Sequence, residues 1–248
     1  MFKPSHLHHS ACYEHCHTYI PDIFEILCWN VHKNNKKDLG FQSFLRKEVK
    51  RRGIDIILFQ EANFRDNTHF ELPGFSYDAA ANLEFRREFY GVLTASKMES
   101  NYAKAYLSEG KESVLGPHKS LLLSNYLFKD GNALLILNVH AINFRENQRY
   151  GMELERFLHL LKAHKGPMIL AGDFNSWNKQ RMDKLQEVAQ RLSLIAVPFE
   201  KTGKVKSFMG KRLDFVFYRE LDLVEAEVMD DHKLSDHNPL FVRFTRKI

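Results

Sequence analysis

Met168-Ile169-Leu170-Ala171-Gly172-Asp173-Phe174-Asn175 is the stretch of this chain that says most about its architecture. Four apolar residues between a Gly166-Pro167 break and a Gly-Asp pair read as a short buried strand. The polar pair Asp173 and Asn175 stands where that strand ends. A carboxylate inside an apolar strand carries a large desolvation cost, whereas at the end it costs little and faces whatever binds there. The same arrangement recurs outward from this point. Phe24 to Trp29 ends in Asn30, Ile54 to Phe59 ends in Gln60-Glu61, and Ala133 to Val139 ends in His140. Asp214 stands in the apolar run Leu213 to Tyr218, and Ser235-Asp236-His237-Asn238 directly precedes the last run, Leu240 to Phe244.

Helical spacing appears three times, through Phe41, Phe44, Leu45 and Val49, through Leu154, Phe157, Leu158 and Leu161, and through Met182, Leu185, Val188, Ala189 and Leu192. Gly53 is placed as the C-cap of the first helix. Asp130-Gly131 between two apolar runs is a hairpin signal. Tyr90 to Ser96, Leu121 to Phe128 and Leu223 to Met229 complete the expected strands. Residues 62–88 carry little pattern beyond a Pro73-Gly74 turn and a charge cluster from Glu84 to Glu88, read as a solvated face. Hairpins mixed with strand-helix-strand units predict a mixed α/β (α+β) protein with two sheets or one large mixed sheet, flanked by helices. One domain is expected over residues 23–248. Residues 1–22 hold His6, His8, His9, His15 and His17 without a period and read as a loosely ordered arm.

A chain of 248 residues, 44% of them hydrophobic, is long enough for one well-buried core. Its 27% charged residues exclude fibrous and disordered classes. A formal charge of +5 favours the approach of phosphate-bearing partners without identifying one. Three cysteines, Cys12, Cys16 and Cys28, are too few and too odd for a disulfide framework and suit a reducing compartment. Cys12 and Cys16 with nearby histidines match no standard zinc spacing. No apolar run approaches the roughly 18 residues of a membrane span, and histidines within Met1 to Pro21 stand where a leader would need an apolar run, so a leader is not expected there. A soluble, cytoplasmic monomer is expected.

Each strand-end residue has an ordinary explanation when taken alone: a turn-forming Asn, a solvated Glu, an Asp capping a helix, a satisfied core His. Together they make one kind of chemistry. Glu61, Asp173, Asp214 and Asp236 are hard oxygen donors of the kind Mg²⁺ or Mn²⁺ takes. Magnesium uses only one or two protein carboxylates, so the others are free to activate water or to orient a histidine. His140 and His237 offer general acids or phosphate ligands. Asn30 and Asn175 can hydrogen-bond a phosphate oxygen or a water. None of these groups is a Ser or Cys nucleophile on an elbow, which favours direct attack of water on phosphorus.

In order, Trp29-Asn30, Leu58-Phe59-Gln60-Glu61, Gly91 to Lys97, Asn138-Val139-His140, Gly172-Asp173-Phe174-Asn175, Leu213-Asp214-Phe215-Val216 and Ser235-Asp236-His237-Asn238-Pro239 form a series. The series resembles the endonuclease/exonuclease/phosphatase superfamily, whose members include pancreatic-type deoxyribonucleases, abasic-site endonucleases, neutral sphingomyelinases and inositol polyphosphate 5-phosphatases. Val139 to Phe144 and Leu213 to Arg219 look closest to its bacterial YafD-like branch. The resemblance implies a four-layer αββα sandwich with the site at one end of two packed sheets. It implies Glu61 as principal metal ligand, with Asp236 and Asn30 beside it. Asp173 would activate the water, and Asn175 would hold the water or a phosphate oxygen. Asp214 or Asp236 would orient a histidine, with Asp214 and His237 the preferred pair, and His237 would contact the scissile phosphate. His140 would be a second phosphate contact or the proton donor, and Asn143 a further phosphate contact. His32 departs from the abasic endonucleases, which carry an acid at that position.

Nucleic acid is the first expected substrate, since Lys33, Lys36 and Lys37 follow Asn30 closely and could hold backbone phosphates. A soluble small phosphoester or a lipid headgroup (an inositol phosphate, a nucleotide, sphingomyelin) is the alternative.

Overall fold

Phe24, Ile26 and Cys28 alternate with Leu27 and Trp29 along one strand, and both sets are buried, but in different clusters. A strand covered on both faces lies inside a layered protein, which is why it reads as an unbroken apolar run. The computed structural model describes residues 7–12, 14, 16–36, 38–66, 68–111, 118–141, 147–230 and 234–247. The strands are β1 (Leu7–Ser10), β2 (Ile23–Asn30), β3 (Ile56–Phe64), β4 (Ser76–Phe85), β5 (Glu88–Ser96), β6 (Tyr102–Lys111), β7 (His118–Leu127), β8 (Ala133–His140), β9 (Met168–Asp173), β10 (Ile195–Ala196), β11 (Ser207–Phe208), β12 (Lys211–Arg212), β13 (Asp214–Arg219), β14 (Leu221–Val228) and β15 (Leu240–Arg246). The helices are α1 (Leu39–Arg52), α2 (Asn147–Leu161) and α3 (Lys179–Arg191).

One sheet runs β1-β4-β5-β3-β2-β15-β14 and the other β10-β13-β9-β8-β7-β6. Between them lie Phe24, Ile26, Ile56, Leu58, Val242 from the first and Leu134, Ile136, Ile169, Ala171, Val216 from the second. Phe41 and Leu45 of α1 cover the outer face of the first sheet, against Leu27, Trp29 and Phe59. Leu154, Phe157 and Leu161 of α2, with Leu185 and Val188 of α3, cover the second. The result is the expected αββα order of layers. The caps follow the sequence. Asp38 accepts from the amides of Gly40 and Phe41, and Gly53 closes α1 at φ 74°.

Besides the two-residue strands β10, β11 and β12, three longer strands run where the sequence carries no strand signal. β4 and β5 are joined by Arg86-Arg87, both at positive φ, in a two-residue turn that usually takes Asn-Gly. The Glu84 to Glu88 charge cluster is therefore a hairpin. β6 pairs only with β7 and is an edge strand carrying lysines, as edges commonly do. β1 corrects the expected loose arm. It pairs antiparallel with β4, and His9 Nδ1 lies 2.8 Å from Asp78 Oδ1. His8 pairs with Asp66 and packs on the rings of Phe64 and Phe89. The cysteine reading is corrected as well. Cys12 and Cys16 are joined in a disulfide, their Cα atoms 5.9 Å apart, and only Cys28 is free. Among the described residues no helix is long and apolar enough to cross a membrane.

Gly172 is where the backbone leaves no room. It sits at φ 138°, and a Cβ there would lie 2.0 Å from Val139 O on the neighbouring strand. Gly172→Ala should destabilise the protein by about 3 kcal/mol or more, from backbone strain and overpacking combined. Urea unfolding measures this; a loss under about 1 kcal/mol would mean β8 and β9 separate easily.

Candidate active site

The register of the sheets brings the strand-end residues to one pole. His140 of β8 and Asp214 of β13 flank Asp173 of β9 as its cross-strand neighbours. Asn30 ends β2 beside Gln60 of β3. Leu240, three residues after His237, pairs with Cys28 of β2. Glu61 arrives differently. The sequence ends its strand at Gln60-Glu61, but β3 continues to Phe64 through a bulge between Phe59 and Ala62. Glu61 is the bulged residue at φ 51°, and such a bulge re-aims its side chain. Gln60 turns inward and donates to Asn138 Oδ1 at 2.7 Å. Asn138 in turn donates to the carbonyls of Phe59 and Leu93, tying the second sheet to the foot of the bulge.

The resulting cleft, of about 230 Å³, is lined by Glu61, His140, Asp173, Asn175, Asp236 and His237 among the expected residues. Asn30 and Asp214 lie behind this lining, both buried. Asn30 donates to Asp173 Oδ2 at 3.1 Å and accepts from the amide of His32 at 3.1 Å. Asp173 Oδ1 accepts from the amide of Asn175 at 3.0 Å, and Asn175, at φ 49°, donates to Ala141 O. Asp214 Oδ2 lies 2.7 Å from His237 Nδ1, and Asp214 Oδ1 is buried without a hydrogen-bond partner among the described residues. Trp29 Nε1 donates to the His237 carbonyl at 2.7 Å, which fixes the backbone carrying the imidazole. Asn143 lies outside the described residues.

Charge is distributed unevenly. Burial and the neighbouring Asp214 carboxylate push Asp173 up to about 7, against the pull of His237. Burial opposes a charge on His237, but Asp214 beside it, then Asp173 and Asp236, lift its pKa to about 9. His140 goes the other way. Burial and the positive charges of Lys119, His237 and Lys33 hold it well below the ordinary imidazole value. Lys119 Nζ is 3.0 Å from His140 Nε2. Burial would raise Asp236, but Lys206 at 2.8 Å and the nearby histidines hold it below the usual carboxylate range.

The donor set suits a hard divalent cation. The Glu61 carbonyl accepts from the amide of Lys33, but the Glu61 carboxylate has no partner within hydrogen-bonding distance among the described residues. His32 and His140 approach its carboxylate at 3.7 Å and Lys33 at 3.9 Å. Asn30 Oδ1 and the second oxygen of Asp236 are further hard donors. Ligand atoms of Asp173, Asp214 and His237 also lie within 4.8 Å of one another. There the Asp214–His237 hydrogen bond already occupies two of the three.

A family model described as Endonuclease/Exonuclease/phosphatase family matches residues 27–237. The chain belongs to the endonuclease/exonuclease/phosphatase family. A UPF0294 protein of Yersinia enterocolitica is 36% identical over 230 residues, covering 90% of this chain and 84% of that protein. Among solved structures, a mannosyl-6-phosphatase of Bacteroides thetaiotaomicron is similar at a TM-score of 0.66 and 17% identity, over 90% of this chain and 99% of that one. An AP endonuclease of Leishmania major is similar at 0.62 and 18%, over 91% and 88%. At these identities the likeness is one of fold. The endonuclease/exonuclease/phosphatase family acts on phosphoesters and generally uses divalent metal ions.

The lining also contains residues the sequence reading did not select: Lys119, Trp177, Lys206, Phe208 and Leu213. Lys119 was within reach of the rule used for the others. It is a polar residue at the end of an apolar run, but that run was started at Leu121 rather than His118. Of the three lysines after Asn30, Lys33 is at Glu61, Lys36 is half-buried near Glu71, and Lys37 lies outside the described residues.

Proposed function

We propose that this protein is a divalent-metal-dependent phosphoester hydrolase that attacks phosphorus directly with water, a phosphodiesterase or nuclease acting on nucleic acid as a monomer. The observation that carries this reading is the meeting of Glu61, Asp173, Asn175, Asp236 and His237 in one cleft, with Asp214 Oδ2 2.7 Å from His237 Nδ1 behind it. Burial and Asp214 raise Asp173 to about 7, and the surrounding carboxylates raise His237 to about 9. Asp173 takes a proton from the attacking water near neutral pH. Asn175, its amide nitrogen held by Ala141, leaves Oδ1 to hold that water or orient the phosphate. His237, oriented through Nδ1 by Asp214, keeps Nε2–H for the phosphoryl oxygen on which charge develops. Asn30 fixes the rotamer of Asp173. Glu61 would hold Mg²⁺ or Mn²⁺ with Asp236 and Asn30; bound there, the ion supplies Lewis-acid polarisation of the phosphoryl oxygen.

An ammonium has hydrogens to give and no lone pair, so His140 Nε2 is the acceptor in its bond with Lys119. Lys119 rather than His140 therefore carries the proton-rich group toward a bound phosphate, and His140 steadies it. Asn143 is a further proposed phosphate contact. Among the described residues no Ser, Thr or Cys lines the cleft, in keeping with direct attack by water. Lys33, Lys119 and Lys206 at the cleft and a net charge of +5 favour a polyanionic substrate.

The second reading, a soluble phosphomonoester, draws on the cleft volume of about 230 Å³, which is closer to one sugar phosphate than to a strand. The cytoplasmic location expected from the cysteine count is opposed by the Cys12–Cys16 bond, since disulfides persist mainly in oxidising compartments.

The test is a panel of single- and double-stranded DNA, abasic DNA, RNA, sugar phosphates, inositol phosphates and sphingomyelin. Each is assayed with Mg²⁺, with Mn²⁺ and with EDTA, using His237→Ala as the blank. Polynucleotide cleavage is expected, lost in EDTA and reduced at least about 100-fold in the blank. Turnover of monoesters alone would overturn the nucleic-acid assignment; full turnover in EDTA would overturn the metal requirement.

A further inference from the structure

Trp177 and Phe208 line the cleft that holds Asp173 and His237, yet the proposed reaction gives them no task. Their rings meet edge to face, with centroids 6.2 Å apart. Phe208 is 52% exposed, and Met209, at the tip of the β11–β12 hairpin, is 74% exposed. Large apolar side chains left in water beside a cleft mark a surface that something covers.

This wall is built to stay in place. Phe208 pairs with Lys211 across a two-residue turn whose residues, Met209 and Gly210, have φ of 50° and 73°. Ser176 Oγ donates to Arg212 O at 3.0 Å, fastening the hairpin to the turn that carries Asn175 and Trp177. The fully buried Arg181 lies 5.0 Å from the Trp177 ring and donates to Asn175 O. Lys206 lines the same cleft, paired with Asp236 at 2.8 Å, and the segment around Phe208 also carries Lys201, Lys211 and Arg212.

We propose that Trp177 and Phe208 receive the nucleobase of the nucleotide next to the scissile phosphate, so that the enzyme selects strands whose bases are unstacked. The inference rests on the nucleic-acid reading above and names its substrate as single-stranded. A flat ring joined to a phosphate matches an aromatic wall beside a phosphate-binding pole with cations around it. Every base presents a face that can stack, so the wall needs no sequence preference. Bases in a duplex are already stacked on one another and reach such a wall only after unpairing. The rings line the reaction cleft itself, which favours a group attached to the scissile phosphate over a membrane surface.

Binding is measured first on the full chain in EDTA, by tryptophan fluorescence. Trp29 is buried in the core, which leaves Trp177 as the reporter. The probes are a single-stranded oligonucleotide, its duplex, and a strand of equal length made of abasic sites. The single strand should quench and bind at least about ten-fold more tightly than the other two. Phe208→Ala should remove that preference and Phe208→Tyr should restore it. With Mg²⁺, the ratio of kcat/KM for the single strand to that for the base-free strand should fall about ten-fold in Phe208→Ala. Equal affinity for the base-free strand, or a preference unchanged in Phe208→Ala, would overturn the proposal. So would phosphatidylglycerol vesicles binding through Phe208 while oligonucleotides show no base preference. A base preference in EDTA with no cleavage under any metal would leave the stacking wall standing and remove the hydrolase reading. Cleavage of sugar phosphates without a base preference would do the reverse.

Discussion

Glu61→Gln should lower kcat/KM by about three orders of magnitude while leaving the fold as stable as the parent to within about 1 kcal/mol. Gln keeps the shape and hydrogen-bonding reach of Glu and removes only the charge. In the proposed reaction that charge holds the divalent ion, whose loss forfeits several kcal/mol of transition-state stabilisation, and each 1.36 kcal/mol is about ten-fold in rate. The stability forecast has a separate basis. Among the described residues the carboxylate of Glu61 has no partner nearer than the 3.7 Å contacts with His32 and His140, so no hydrogen bond among them is broken. The bulge that aims it is held from outside, by Asn138 on the carbonyls of Phe59 and Leu93. Calorimetric titration with Mn²⁺, thermal melts and kinetics on one substrate separate the two effects. Retention of more than about a tenth of the activity with unchanged Mn²⁺ affinity would remove Glu61 as the principal ligand.

What the sequence made legible follows a physical rule, and its gaps follow from the same rule. Asn30, Asp173 and His140 were visible because each ends a doubly buried strand, where an apolar run stops abruptly. Asp214 and His237 stood out by the same contrast. The identity of Glu61 was legible, but its bulge was not, because a bulge is set by pairing between strands distant in sequence. Ser76–Phe85 and Tyr102–Lys111 are strands through their neighbours rather than their composition, since alanines, lysines and polar residues carry weak β preference. Histidines in β1 gave no period because their partners, Asp66 and Asp78, lie some sixty residues away. Trp177 and Phe208 escaped notice for a related reason: an isolated aromatic looks like core until its exposure and its ring partner are known.

The second large effect concerns pH. In the proposed reaction Asp173 must have lost its proton and His237 must have kept one. With the first raised to about 7 and the second to about 9, kcat/KM should rise through about 7, fall through about 9 and peak between. Asp214→Asn tests this pair more sharply than removal of either member. Asp214 is a cause of both shifts: it repels the charge on Asp173 and attracts the charge on His237. Its neutralisation should move both limbs toward acid and cost about 10²–10⁴ in rate at pH 8, as the imidazole loses its charge and its orienting partner. Stability should follow with a definite sign. Both groups hold their protons more tightly in the folded chain than in the unfolded one. The stabilisation this gives is therefore complete below the unfolded values and is lost as pH rises, through about 7 for Asp173 and about 9 for His237. Metal-free protein should accordingly melt at lower temperature at pH 9 than at pH 6, by a margin that shrinks in Asp214→Asn. Rate profiles between pH 5 and 10 and melts of both proteins check these forecasts together. An alkaline limb that stays in place in Asp214→Asn would show that it belongs to some group other than His237.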